Sequence, residues 1–384
     1  MRKRPAVALL IETSNAYARG LLAGIIAWQR THDAWSIYLP EQERGAVPPQ
    51  WLSRWKGDGI IARIETDEIA KAVRRCGVPV VDVSAARRLK NIPWVETDDQ
   101  LIAAEAFRHL SDRGLKNFAF CGDPGFNWSV WRRDRFCRLV ADAGGECHVH
   151  DSIPQFDHDF SWTREQKRMT QWLRGLPRPI GIFAAYDIKA QQLLEVCRDE
   201  GISVPEEVSV VGVDDDELIC ELSHPPLSSI VPNTRRTGYE AAALLDRMMT
   251  GEECEEMMVL IPPLGVTTRQ STDVLAIEDP EVASALRFIR EHACQGIDVA
   301  DVLRNVPLSR RMLETRFAKI LGRTPHAEIA RLRIERAKRL LTETDLPLAE
   351  IAELAGFQHN EYFSVAFKRE VGRTPSTFRR VSRR

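Results

Sequence analysis

Two periodicities divide the chain. As far as about Val266, short β-branched and apolar runs alternate with stretches whose apolar residues recur every three or four positions. The runs Val7–Ile11, Gly59–Ala62, Pro79–Val83, Phe118–Cys121, Ile180–Ala184 and Val208–Val213 predict strands. Ala16–Gln29, Asp67–Arg75, Asp98–Arg113, Val130–Ala143, Thr163–Leu173 and Asp187–Glu200 predict the helices between them. This alternation predicts βαβ units and parallel sheets covered on both faces. Some 260 residues of it are too many for one sheet, so two α/β lobes are expected.

From Asp298 to Arg380 only the helical period remains, and it occurs twice. SRRMLETRFAKILGRTP (Ser309–Pro325) is echoed by HNEYFSVAFKREVGRTP (His359–Pro375), with Phe317 and Phe367, and likewise Gly322 and Gly372, 50 residues apart. An apolar-periodic segment, a tight turn and a second amphipathic segment make a helix-turn-helix, so an all-α domain with two such motifs is expected. Met312, Leu313, Phe317, Ile320 and Leu321 share one side of the first copy, and Phe363, Phe367 and Val371 one side of the second. Arg311, Glu314 and Thr315, and then Glu361, Ser364 and Val365, point the other way. The turns differ. Asn305-Val306-Pro307 stands where the second copy has Ala355-Gly356, and Pro cannot supply the positive φ that Gly adopts easily.

Charge sharpens the division. Ala283–Arg384 carries a net +8, whereas Met1–Val282 carries −10, so a whole-chain charge of −2 hides a basic domain joined to an acidic one. A basic helix-turn-helix pair suits a polyanion. Arg311 fits guanine O6 and N7 bidentately, Glu314 or Glu361 accepts from cytosine N4, and Asn360 reads adenine. Arg310, Thr315, Arg316, Lys319, Ser364, Lys368 and Arg369 complete the candidate DNA-binding surface, with His359 as a further contact or a helix cap.

The duplicated region resembles the DNA-binding domain of the arabinose-operon-activator (AraC) family. The matching residues are ARLRIERAKRLL (Ala330–Leu341), IAELAGF (Ile351–Phe357), YFSVAFKREVG (Tyr362–Gly372), Thr374-Pro375 and Arg379-Arg380. The resemblance implies double-stranded promoter or operator DNA as a partner.

In the acidic part, polar residues cluster after the strands, where open α/β sheets bind ligands. They are Tyr17 in ETSNAY, Trp128, Trp131 and Arg132 in NWSVWR, Asp187 after IFAAY, and Asp214 in VVGVDDDE. Carboxylates and a guanidinium hold vicinal hydroxyls, and an indole covers the C–H face of a sugar ring. Ordinary alternatives stand beside each. Asp214 and Asp187 suit helix caps, Arg132 suits an ion pair with Asp134, and the tryptophans suit a core. Asn233, in SSIVPNTRR, is a further candidate.

These strings resemble the ligand-binding domain of the lactose-repressor family, a two-lobed periplasmic-binding-protein type I fold. The resemblance implies sugar contacts at Asp214 and Arg132. The usual Asn-Asp is here Tyr186-Asp187, and the family's N-terminal helix-turn-helix is missing because the first strand begins near residue 6. Both domains together, with LLIETSNAYARGLLAGI (Leu9–Ile25) and IREHACQGI (Ile289–Ile297), resemble the bacterial xylose-operon activators. That implies D-xylose as effector, a homodimer, and RNA polymerase as a partner.

The expected domains are 1–270 for sugar binding, a polar linker at 271–282, and 283–384 for DNA. No GxxxxGK[ST], HExxH or GxSxG occurs, so no enzyme is expected. The eight Cys never form CxxC, so neither a metal nor another cofactor is expected. Met1-Arg2-Lys3-Arg4 opens no signal peptide and no apolar run reaches membrane length, so a cytoplasmic protein with reduced thiols is expected.

Overall fold

The computed structural model describes residues 4–41, 47–154, 160–252, 257–273, 279–344 and 346–382. They form two compact units, Met1–Val274 and Leu275–Arg384. Ser271 and Thr272 are buried within the first, and a helix of the second starts at Pro280.

Among the described residues the first unit has two six-stranded sheets. Its strands are β1 (Ala6–Leu10), β2 (Ser36–Tyr38), β3 (Gly59–Ala62), β4 (Val80–Asp82), β5 (Trp94–Thr97), β6 (Asn117–Gly122), β7 (Cys147–Asp151), β8 (Ile180–Ala184), β9 (Val208–Val213), β10 (Ser228–Val231), β11 (Met258–Ile261) and β12 (Gly265–Thr267). One sheet has the order β11-β5-β4-β3-β1-β2 and the other β12-β10-β9-β8-β6-β7. Among the described residues every strand pairing is parallel except that of β10 with β12. The two α/β lobes expected from the pattern are present. The chain crosses between sheets after β5, after β10 and after β11, so each lobe is assembled from distant segments.

The six expected strands are buried almost throughout, because a central parallel strand must be apolar along its length. The others escaped the pattern for physical reasons. β2 is exposed along its length and so needs no apolar run, whereas β11 is a four-residue apolar stretch with Met258 and Leu260 exposed. β5 is buried, yet it carries Glu96 and Thr97. Helix Thr234–Met249, also unexpected, packs with helix Ala16–Gln29 over the first sheet through Leu21, Ile25, Ala241 and Leu245.

Helix Trp162–Arg174 covers the second sheet and brings Glu165 to His150, with Oε1 2.7 Å from Nε2. Burial alone raises the Glu165 carboxyl, but His150 and the Ile153 amide overcome it and hold the pKa at about 2. A depressed carboxyl stabilises the fold above its ordinary pKa and loses that contribution on the way down to its folded value. Glu165→Gln should therefore be less stable than wild type at pH 6, and the gap should close between about pH 4.5 and 2. Urea unfolding across that range measures it.

In the second unit, helices Val299–Arg304 and Arg310–Leu321 form the first helix-turn-helix, and Leu348–Leu354 and Asn360–Val371 form the second. Helix Pro325–Glu343 joins them. The repeated Gly-Arg-Thr-Pro string has a direct physical use. Gly322 (φ 67°) and Gly372 (φ 76°) end the preceding helices in the left-handed region. Thr324 and Thr374 then accept from the Ala327 and Thr377 amides, and Pro325 and Pro375 open the next helices.

Candidate functional site

A cavity of about 370 Å³ is lined by residues from the carboxyl ends of both sheets, within the range of about 300–1,000 Å³ typical of small-molecule sites. The first sheet contributes the turn after β1 with Tyr17, Arg63 after β3, and Glu96 with Asp99 at the end of β5. The second contributes Trp128 and Arg132 after β6, Tyr186 and Asp187 after β8, and Asp214 after β9. A wider groove, about 1,300 Å³, lies beside the edge strand β2 against Tyr38, Trp51 and Trp55, and none of those carboxyl-end residues lines it.

Arg132 is 4% exposed and pairs with Asp99, Nε to Oδ1 2.6 Å. Its Nη1 donates to the Ala185 carbonyl at 2.6 Å, and its guanidinium lies 5.0 Å from the centre of the Trp128 ring. The sequence allowed an ion pair with Asp134, but Arg133 takes that carboxylate. Arg63 is held by Glu12 and by Glu65 (2.6 Å), and it lies over the Tyr17 ring at 5.3 Å. Tyr17 donates to Glu96. Burial lifts the Asp99 carboxyl to about 6 even beside Arg132, and burial with nearby Asp99 holds Glu96 well above the usual carboxylate range.

Asp187 is the first residue of its helix, and Tyr186 occupies the N-cap without a side-chain bond. Its carboxyl accepts instead from Ser229 Oγ (2.6 Å) and the Asp216 amide (2.9 Å), tying the ends of β8, β9 and β10 together. Burial and the neighbouring Asp214 raise its pKa well above normal. Among the described lining residues five carboxyl groups face two guanidiniums, each already paired.

The structure therefore brings together Tyr17, Trp128, Arg132, Asp187 and Asp214, and leaves out Trp131 and Asn233. Trp131 packs edge-on against Trp94 at 6.1 Å. Asn233 caps helix Thr234–Met249 by accepting from the Arg236 amide. The sequence reading missed Arg63, Glu96 and Asp99. Arg63 follows an expected strand directly, the same signal that marked Asp214. Glu96 sits inside a strand whose apolar pattern it interrupts.

In the basic unit the helices Arg310–Leu321 and Asn360–Val371 hold Leu313, Phe317, Phe363 and Phe367 in the core. Arg311, Thr315, Lys319, His359, Asn360, Glu361, Lys368 and Arg369 are exposed, and Ser364 is half-buried. Met312 departs from the expected apolar stripe, being 44% exposed. Arg310 pairs with Glu314 one turn on, Arg316 reaches Asp279 and Glu281, and Arg369 pairs with Glu370. His359 stands at the N-cap without a side-chain bond. The first turn contains no positive φ at Asn305-Val306-Pro307, and Val306 is buried there instead.

Three family descriptions match successive parts of the chain: an XylR N-terminal domain at 6–100, a periplasmic binding protein-like domain at 107–272, and a helix-turn-helix domain at 303–381. The xylose operon regulatory protein of Escherichia coli K12 is 35% identical over 388 residues, covering 99% of this chain and 98% of that protein. The chain belongs to the xylose operon regulatory protein family. A solved structure described as the xylose-binding transcription activator XylR is 34% identical, with TM-score 0.84 and full coverage of both chains. A LacI family regulator from a Rhodococcus species, 21% identical with TM-score 0.59, covers 71% of this chain and shares the fold. Members of the xylose operon regulatory protein family are transcription regulators with a helix-turn-helix DNA-binding domain, so this chain is a regulator and not an enzyme. Among the described residues no helix is long and apolar enough to cross a membrane.

Proposed function

We propose that the chain activates xylose-utilisation genes by binding D-xylose in the cavity of the first unit and promoter DNA through the second. The observation that carries the sugar reading is the donor and acceptor set of the cavity: five carboxyl groups face two arginines that are already paired, so neither guanidinium is left to hold an anion. Such a surface offers acceptors and fixed donors to hydroxyls and repels anions. Trp128, stacked on Phe126 at 5.0 Å and overlain by Arg132, adds apolar indole surface to the cavity wall. A relative described as xylose-binding supports the choice of sugar. Tyr17, Arg132, Asp187 and Asp214 are the proposed hydroxyl ligands, joined by Arg63, Glu96 and Asp99.

Calorimetry tests this. D-xylose should bind, whereas the anionic D-xylonate, alike in size, and the larger D-xylose 5-phosphate should not. Asp214→Ala should weaken D-xylose at least about ten-fold, since a charge-assisted hydrogen bond contributes about 1.5–3 kcal/mol. Equal affinity for xylose and xylonate would refute the charge argument.

For DNA, the two recognition helices Arg310–Leu321 and Asn360–Val371 enter successive major-groove segments about 34 Å apart. Arg311→Ala should cost about 1–3 kcal/mol and relax one base position, while Lys319→Ala should weaken all sequences alike and lower the salt dependence. Quantitative footprinting on operator variants separates the two. The remaining proposals follow from this role. The effector and DNA-binding domains divide within 271–282, the active form is a homodimer that recruits RNA polymerase, and the protein works in the cytoplasm.

A further inference from the structure

Two consecutive non-glycine residues after β9, Asp214 (φ 116°) and Asp215 (φ 48°), hold backbone conformations that side chains disfavour. Such a turn persists only where its surroundings fix it. The Asp214 amide donates to the Ile230 carbonyl at 3.1 Å, and the Asp215 amide to Ser229 Oγ at 3.0 Å. The Asp215 carboxylate accepts from Thr267 Oγ1 at 2.9 Å and from Arg269 Nη1 at 2.7 Å. Arg269 also reaches Glu221 and the Leu227 carbonyl. Asp214 lines the cavity, while Arg269 stands in the last stretch of the first unit, five residues before Val274.

The opposite wall of the cavity leads to the same stretch. Helix Asp99–Ser111 starts with the partner of Arg132 and carries His109 near its end. His109 Nε2 lies 2.7 Å from Thr272 Oγ1, and Arg113 donates from Nε to the Thr272 carbonyl at 2.5 Å. Arg113 Nη1 lies 3.1 Å from His109 Nδ1. A guanidinium only donates, so Nδ1 accepts and the ring proton sits on Nε2, facing Thr272. The Thr272 hydroxyl then passes its hydrogen to Ser228 Oγ (2.7 Å), and Ser228 donates to the Arg269 carbonyl (2.9 Å). Ser271 and Thr272 are fully buried in this network, and beyond them the chain runs on to Pro280–His292.

We propose that Thr267–Thr272, with Arg269 at its centre, is the relay that reports occupancy of the cavity at the point where the chain leaves the sensing unit. It rests on the cavity being the D-xylose site. A ligand hydroxyl on Asp214 biases the turn Asp214-Asp215, Arg269 follows Asp215, and the buried segment ending at Thr272 shifts with it. Arg269 and Asp215 are thus positioning residues for the response, without touching the sugar.

The test uses the full-length chain and measures D-xylose affinity by calorimetry, then affinity for a two-site operator with and without D-xylose. In Arg269→Gln and Asp215→Asn, sugar affinity should stay within about three-fold of wild type. The ratio of the two DNA affinities should fall to near one. Arg269→Lys, which keeps the charge on Asp215, should recover part of the ratio. Thr272→Val, a milder change at the other end, should lower the ratio even if the Arg269 variants fail to fold. A wild-type ratio in folded Arg269→Gln or Thr272→Val would overturn the relay. So would a loss of sugar affinity in step with the ratio, which would place Arg269 in the ligand site. A wild type that takes up no D-xylose would instead overturn the effector reading, and the relay with it.

Discussion

Arg132→Ala should abolish measurable D-xylose binding and lower the stability of the sensing unit by about 3–5 kcal/mol, the usual consequence of stranding one member of a buried ion pair. Both partners are 4% exposed, so water cannot readily replace the lost partner. Its carboxyl already stands at about 6 with the guanidinium present, because burial disfavours the charge. Without Arg132 it should protonate near neutral pH and thereby limit the damage. The double variant Arg132→Ala with Asp99→Asn should then regain much of the stability and none of the affinity. Thermal unfolding followed by calorimetry on the same samples separates the two effects. Recovery of sugar binding in the double variant would show that Arg132 only holds the wall together.

Gly356→Ala should unfold the second helix-turn-helix while leaving sugar binding intact. Gly356 has φ 82°, and a Cβ there would lie 2.8 Å from the Ala293 carbonyl oxygen and from the backbone of Cys294. The conformation alone costs a side chain about 1–3 kcal/mol, and backbone overlap adds more because neither strand of chain can step aside. Gly322 provides the control. Its φ is 67°, yet a Cβ there meets nothing within 4 Å, so Gly322→Ala should lose only the conformational part, about 1 kcal/mol. Operator binding and the melting of the isolated transition should rank the variants Gly356→Ala well below Gly322→Ala. Equal effects would mean that the approach to Ala293 is of no consequence.

The glycine contrast also indicates how much of the molecule could be read in advance. Repetition made the second unit legible, since the same cap, stop and start recur 50 residues apart. What the repeat could not give was the first turn, where a buried Val306 takes the place of a positive-φ residue. In the first unit, strands buried on both faces announced themselves through unbroken apolar runs. β5 did not, because Glu96 and Thr97 interrupt it, and that interruption is where the cavity wall lies. Asp214 and Asp187 were readable from their place after a strand, but Asp99 was not. Its importance comes from Arg132, 33 residues away, and only the fold supplies that pairing.

Helix Pro325–Glu343 acts as a ruler between the two helix-turn-helix motifs. Its 19 residues span about 28 Å, and its apolar side chains Ile329, Ile334, Ala337 and Leu341 are buried along its length. Every added residue would turn one motif by about 100° about this axis relative to the other, so a single insertion puts the second recognition helix out of phase with the groove. Seven residues bring the faces back to within about 20° while lengthening the ruler by about 10 Å, roughly three base pairs. The spacing expected between the two groove segments read by one chain is thus set by the length of one helix.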